Sequence, residues 1–271
     1  MTNMRSKVAP RILLAWISLA TLTGSAVSQG PPPPMATDAT PSFEVATIKP
    51  SKPEESRSVV VSGTQLHTTG TSLIDLLMFA YSVHSLQIVD GPSWIRTDKY
   101  DVVVQPDLPG RPSTAQMRSI LQKLLTDRFQ LTMHHASKKL EVYAIVVANH
   151  GPHLAPTTAD AAAVNTATVG FSDGAMTFRD ATVPEFASLL QRYVQLEWPV
   201  VDHTHIAGKF DFKLSWTPDP SQFGGRSSFP FKSDAPDLYA AMEEQLGLNL
   251  RPVKEPTDVL VIDAVSKPSD N

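Results

Sequence analysis

Apolar and polar positions alternate along Phe43-Glu44-Val45-Ala46-Thr47-Ile48 until Pro50 interrupts them, which predicts a first strand with one buried face. Further along, the period changes. Leu73, Leu76, Leu77 and Ala80 recur at helical spacing behind Ser72 and Asp75, and Met117, Ile120, Leu121, Leu124 and Leu125 do so behind Ser113 and Gln116. Val183, Phe186, Ala187 and Leu190 follow Thr182 and Glu185, and Leu238, Ala241, Met242 and Leu246 follow Asp234 and Asp237. In each pair a short polar side chain can accept a hydrogen bond from an otherwise unpaired backbone N–H, and the residue three further on answers it. Helices are therefore predicted to begin at Ser72, Ser113, Thr182 and Asp234. Pro184 and Pro236 fall in first turns, where a missing N–H costs nothing. Short β-rich segments at 100–104, 129–133, 142–147, 210–216, 248–253 and 259–265 complete the pattern. Its order, strand, helix, strand, strand, occurs twice. That predicts an α+β fold with helices packed on one face of mainly antiparallel sheets.

The two occurrences align. A slide of 110 residues brings Leu66 onto Met176, Ser72-Leu73 onto Thr182-Val183, Leu76 onto Phe186 and Lys99-Tyr100-Asp101 onto Lys209-Phe210-Asp211, without a gap. With a small further shift, Leu125 meets Leu246, Phe129-Gln130-Leu131 meets Leu248-Asn249-Leu250, and Glu141-Val142 meets Asp258-Val259. The expectation is two internally repeated halves, 43–148 and 174–266, joined by an Ala- and Thr-rich connector at 149–173. Residues 217–233, rich in Pro, Gly and Ser, read as a second loop, in which Phe223, Phe229 and Phe231 are expected to pack onto the sheet.

The N-terminal residues change the picture of where the chain works. Arg5, Lys7 and Arg11 precede an uncharged run at 12–22 and then Gly24, Ser25, Ala26 and Ser28, the layout of a secretory signal peptide over residues 1–28 cut after Ser28. The run is about half the ~20 residues a membrane-spanning helix needs. No later stretch is long and apolar enough to span a bilayer. Residues 29–42, with Pro31 to Pro34, read as a stiff, solvated spacer. Loss of residues 1–28 would reduce 23 basic residues to 20 against 27 acidic ones, moving the net charge from −4 to −7. Nucleic acid is then a poor partner, because such binding rests on Lys and Arg displacing counterions from phosphates. The chain has no cysteine, so stability must come from burial and not from disulfides.

Candidate chemistry is sparse. In Asp202-His203-Thr204-His205 the two histidines would point to one side of an extended strand and offer two metal ligands, but a third must come from elsewhere. Adjacent His134-His135 face opposite ways on a strand, and His150 and His153 sit in the connector, so no metal site and no cofactor are expected. The mature chain lacks Gly-x-Ser-x-Gly, Ser-x-x-Lys and His-Glu-x-x-His, a phosphate loop and a dinucleotide turn. Glu54-Glu55 and Glu243-Glu244 read as solvated faces, although only a structure can measure carboxylate separations. Trp94 and Trp198, at nearby points of the two halves, are either stacking platforms or, more commonly, core-closing aromatics. Asp101 and Asp211 are expected to orient a turn or pair with a neighbour. No catalytic residue is assigned.

Taken together, Phe43-Glu44-Val45-Ala46-Thr47-Ile48-Lys49-Pro50, Gly91-Pro92-Ser93-Trp94-Ile95, Lys99-Tyr100-Asp101, Leu124-Leu125-Thr126-Asp127-Arg128-Phe129, Gly208-Lys209-Phe210-Asp211-Phe212, Trp216-Thr217-Pro218-Asp219 and Glu244-Gln245-Leu246-Gly247-Leu248 carry a resemblance. The chain resembles a family of secreted proteins, abundant in acidobacterial genomes, that share a domain of unknown function. The resemblance implies export and supplies no catalytic residues. That family usually shows Lys-Thr-Gly where this chain has His203-Thr204-His205, which weakens a metal reading of these histidines. A looser similarity of pattern links residues 176–265 to the short N-terminal modules of secretins and TonB-dependent receptors, which bind other envelope proteins. The functional expectation is a secreted or periplasmic, non-enzymatic module that binds an envelope protein or peptide. The alternatives are a cell-wall or carbohydrate hydrolase built on carboxylates, and a small-molecule sensor with its pocket between the halves.

Overall fold

The structure, a computed structural model, describes residues 32–158, 168–172, 175–225 and 234–268. The expected signal at 1–28, Phe229 and Phe231 lie outside the described residues.

The alternating segment at the start forms β1 (Phe43–Pro50). It joins β2 (Ser58–Ser62), β3 (Gln65–Ser72) and β5 (Lys99–Pro106) in an antiparallel sheet of order β1-β5-β3-β2. Helix α1 (Leu73–Tyr81) starts at Ser72 with both bonds of the capping box in place, and α3 (Thr114–Phe129) starts likewise at Ser113. A short helix α2 (Trp94–Thr97) lies between them, after β4 (Ile88–Val89). The buried stripes of α1 and α3 close a core with Leu66, Val102, Val104 and Ile88, and Phe129 meets Tyr100 edge to face at 5.7 Å.

The second run follows the same order of elements. β9 (Ala175–Ala181) leads into α4 (Val183–Val194), which starts at Thr182 with a complete capping box; β10 (Val200–Asp202), β11 (Phe210–Leu214) and α5 (Leu238–Leu246) follow. With β7 (Ala155–Pro156) and β8 (Thr168–Ser172), β9 and β11 form an antiparallel sheet of order β7-β11-β9-β8. Phe178, Phe186 and Phe212 stack and cross within 5.1 Å at the heart of its core.

Several expectations are corrected. Helix α5 is capped by Asp237, whose side chain accepts the Ala240 N–H at 2.9 Å, and not by Asp234. Thr217 takes the carbonyls of Ala235 and Pro236 through its hydroxyl and N–H, holding those residues out of the helix. Phe129 ends α3 instead of opening a strand, because Gln130 adopts the left-handed conformation (φ 49°) and stops the helix there. The segments 129–133 and 142–147 fuse into one strand, β6 (Thr132–Val147), and 248–253 and 259–265 fuse into β12 (Leu248–Ala264). Pro256 does not break β12: it and Pro252 lie on the same edge by alternation, and this stretch has β6 as its only strand partner, so the missing N–H groups face away from the ladder. The connector is not wholly irregular either, since it contributes β7 and β8, and residues 159–167 within it lie outside the described residues.

The spacer also differs from expectation. From Pro33 onward it is docked: Arg111 donates its N–H to Pro33 at 2.7 Å, Met35 donates to the Arg111 carbonyl at 2.8 Å, and Met35 is buried. Gln116, itself buried, donates to the carbonyls of Ala36 (2.7 Å) and Ala39 (3.2 Å). Proline cannot build a core, but its carbonyl still accepts.

A third sheet ties the runs together, with order β10-β6-β12-β4. β6 and β12 pair antiparallel from Leu248↔Val147 to Ala264↔Thr132. β10 adds parallel to β6 with Val200 opposite Tyr143, and β4 adds parallel to β12 with Ile88 opposite Leu260. Each run thus lends a strand to the other's core: Tyr143 and Ile145 of β6 pack with α4 and α5, while Ile262 of β12 packs with α1 and α3.

Candidate functional site

The outer strand β2 is the most unusual piece of surface. Its sequence, Ser-Val-Val-Val-Ser, carries no charge, and Val59, Val60 and Val61 are 40%, 51% and 47% exposed. On one side it pairs with β3 over five residues through the two-residue turn Gly63-Thr64. On the other it has no strand neighbour among the described residues. Sheet edges in folded proteins are usually blunted by lysine, proline or a bulge, because the unpaired N–H and C=O groups recruit another chain. β2 shows none of these devices. The sequence-based strand list passes over 58–62, although three β-branched residues ahead of Gly63 carry the signal. β8, 110 residues further on, is likewise the outer strand of its sheet, but there Phe171 packs on Tyr193 at 5.6 Å and Val169 packs against the core.

A cavity of about 550 Å³ opens beside α5, lined by Tyr143, Glu197, Asp219, Gln222, Asp237 and Tyr239 among others. It gathers three carboxylates, but two already have local tasks. Asp219 accepts from the Ser221 hydroxyl (2.6 Å) and N–H (2.8 Å), and these bonds hold its carboxyl below the usual carboxylate range. A general acid of glycoside hydrolysis needs the opposite shift. Asp237 is committed as the cap of α5. Burial, with the hydrogen bond to Tyr239, pushes the Tyr143 phenol well up, so it stays a neutral group.

The residues singled out by sequence scatter. His205 sits in the left-handed region (φ 56°), so the extended geometry needed for His203 and His205 to share a face does not form. His203 pairs instead with Glu255 at 3.0 Å, and Asp202 turns back onto the Thr204 N–H and hydroxyl. His134 and His135 bond Asp263 and Asp258 on opposite faces of the β6–β12 ribbon, each at 2.8 Å. No group of three or more His, Asp or Glu among the described residues is placed to hold a metal ion. Glu54, Glu243 and Glu244 are exposed. Both tryptophans pack against a core: Trp198 lies on Tyr143 with ring centroids 5.0 Å apart, and Trp94 lies under the Lys267 ammonium at 5.7 Å. Phe223 is buried and stacks on Trp216. No helix among the described residues is long and apolar enough to cross a membrane.

Residues 74–265 match the family described as Protein of unknown function (DUF3738). No curated protein matches the chain, and no solved structure matches it.

Proposed function

We propose that this chain, which belongs to the DUF3738 family, is an exported, non-enzymatic binding module, a duplicated α+β unit that captures an extended segment of an envelope protein along β2. The observation that carries this reading is the uncharged edge Ser58–Ser62 with its three exposed valines. An incoming strand would complete the β2 ladder through main-chain hydrogen bonds, with alternate side chains meeting Val60 on one face and Val59 and Val61 on the other. The basic start, apolar run and small-residue exit at 1–28 support export. The bonds that already occupy Asp219 and Asp237 weigh against the hydrolase reading of the larger cavity.

Selection of a phage-displayed library of linear peptides on the full chain tests the proposal. Wild type should enrich extended, β-branched sequences, and Val60→Pro, which removes an edge donor, should fail to enrich them while its melting temperature changes little. Equal enrichment on Val60→Pro, or none on wild type, would overturn it. Light scattering across a concentration series distinguishes a foreign strand from a second copy: a dimer lost in Val60→Pro would replace the peptide with this chain's own β2.

A further inference from the structure

Where α1 and α4 approach each other, a cleft of about 210 Å³ is lined by Arg57, Val59, Asp75, Met78, Phe79, Val83, Arg192 and Tyr193, with Ser82, Ser188 and Gln191 at its margin. Its charges are unevenly satisfied. Arg57 and Asp75 form an ion pair at 3.1 Å. Arg192, in the last turn of α4, has no carboxylate partner among the described residues; it lies over the Tyr193 ring at 4.6 Å and donates to the Tyr193 hydroxyl at 3.1 Å. Arg118 of α3 comes close enough to feel both Arg192 and Tyr193. The Nε–H groups of Arg118 and Arg192 are each enclosed by protein with no hydrogen-bond partner among the described residues.

Two guanidiniums that are partly stripped of water, repel each other and keep enclosed donors unpaired form an unfavourable arrangement unless an anion completes it. Burial first, and the repulsion of Arg192 second, hold the Arg118 guanidinium below its ordinary proton affinity. Arginine's planar fork is suited to carboxylate and phosphate oxygens. Two features of the cleft choose between these. Its other walls, Val59, Met78, Phe79 and Val83, are apolar and ask for an apolar body behind the charge. Asp75 lies in the same cleft and disfavours a dianion such as phosphate. The volume is below the ~300–1,000 Å³ of ordinary small-molecule sites, which suits a small organic acid or a single peptide terminus. We infer that the Arg118–Arg192–Tyr193 cluster is a binding site for a monoanionic carboxylate attached to an apolar group.

The full chain is titrated calorimetrically with 3-phenylpropionate at constant ionic strength, with 3-phenyl-1-propanol and inorganic phosphate in parallel. Saturable binding of the carboxylate alone is expected, weakened about tenfold or more by Arg118→Gln and by Arg192→Gln, since a bond to a charged group contributes roughly 1.5–3 kcal/mol. Absence of saturation, equal binding of phosphate, or unchanged affinity in both variants overturns the inference. A short peptide ending in phenylalanine, with a free or an amidated terminus, separates the two sources of carboxylate. Tighter binding of the free-terminus peptide than of 3-phenylpropionate identifies a chain end, and equal or weaker binding identifies a free acid. Should either variant fail to fold, phenylglyoxal labelling of wild type decides: 3-phenylpropionate must slow modification of Arg118 and Arg192, and unchanged labelling overturns the site. Val60→Pro leaves this titration unchanged, so the cleft and the β2 edge stand or fall separately.

Discussion

Asp101 and Asp211 perform the same task 110 residues apart: Asp101 accepts the Gly70 N–H at 3.0 Å, and Asp211 accepts the Asp180 N–H at 2.8 Å. Gly70 and Asp180 each lie at a register shift in the strand before a helix, and both adopt left-handed backbone, φ 58° and 52°. The carboxylate takes the N–H that the bulge removes from the ladder.

Side chains at the two bulges are not interchangeable. A Cβ on Gly70 would stand 2.8 Å from the Glu55 carbonyl and 3.2 Å from the Arg57 nitrogen, whereas Asp180 points its carboxylate to Lys209 at 2.7 Å. Gly70→Asp, which copies the second run into the first, should cost about 1–3 kcal/mol through strain and backbone collision. Asp180→Gly keeps an allowed conformation and should lose less. Urea midpoints of the two variants check the ranking, and a greater loss in Asp180→Gly would refute it.

Much of this was legible in the sequence, and the failures have physical causes. Ser72, Ser113 and Thr182 were readable as caps because a capping box is a local device, complete within four residues. The Lys99-Tyr100-Asp101 and Lys209-Phe210-Asp211 matches pointed to strand starts with a common role, but not to Gly70 and Asp180 as their partners, which lie 31 residues away. β6 and β12 were read as pairs of strands because Pro256 looks like a stop when its edge is unknown. The β2 edge and the arginine cleft were missed for a different reason. Exposure of Val60 and enclosure of Arg118 and Arg192 arise from tertiary packing, and no spacing in the chain encodes them.

His84 ties the two runs across their interface and makes stability depend on pH. It is buried; Nδ1 accepts the Leu86 N–H at 3.2 Å, so Nε2 carries the proton donated to the Leu196 carbonyl at 3.1 Å. The neutral ring is the one that fits. Burial lowers its proton affinity, and the Leu196 bond only partly opposes this. A lowered histidine binds fewer protons folded than unfolded, so its contribution is full above the unfolded value of about 6.5 and is lost as pH falls from there through the folded value. Urea midpoints should decline between pH 7.5 and 5.5 in wild type and decline less in His84→Gln. Equal slopes in the two proteins would remove His84 from the account.

Gly247 is the tightest backbone approach recorded among the glycines. It ends α5 at φ 63°, and a Cβ there would lie 1.9 Å from the Gly151 carbonyl. The same crossing carries the Ala148 N–H to the Gly247 carbonyl (2.9 Å) and the His153 N–H to the Leu246 carbonyl (2.7 Å). Gly247→Ala should therefore lower stability by about 2 kcal/mol or more. Gly170→Ala, with nothing within 4 Å of the added methyl, should stay within about 0.5 kcal/mol. Thermal unfolding of the pair decides, and equal melting temperatures would contradict the packing described.

Gln116 offers a substitution that separates two roles of one side chain. Its oxygen accepts the Ser113 N–H at 2.9 Å and completes the cap of α3, while its nitrogen donates to Ala36 and Ala39 and fastens the Pro-rich segment. Gln116→Glu keeps the acceptor for the cap but turns a carboxylate oxygen toward two carbonyls, so the docked segment loses its donors and meets repulsion. Helix α3 should then persist while residues 33–39 detach. Hydrogen exchange should accelerate at Met35, whose N–H is held by the Arg111 carbonyl, with amides of α3 unchanged. Acceleration in α3 as well would show that the cap and the docking are one cooperative unit, and no change at Met35 would show that the Arg111 bonds alone hold the segment.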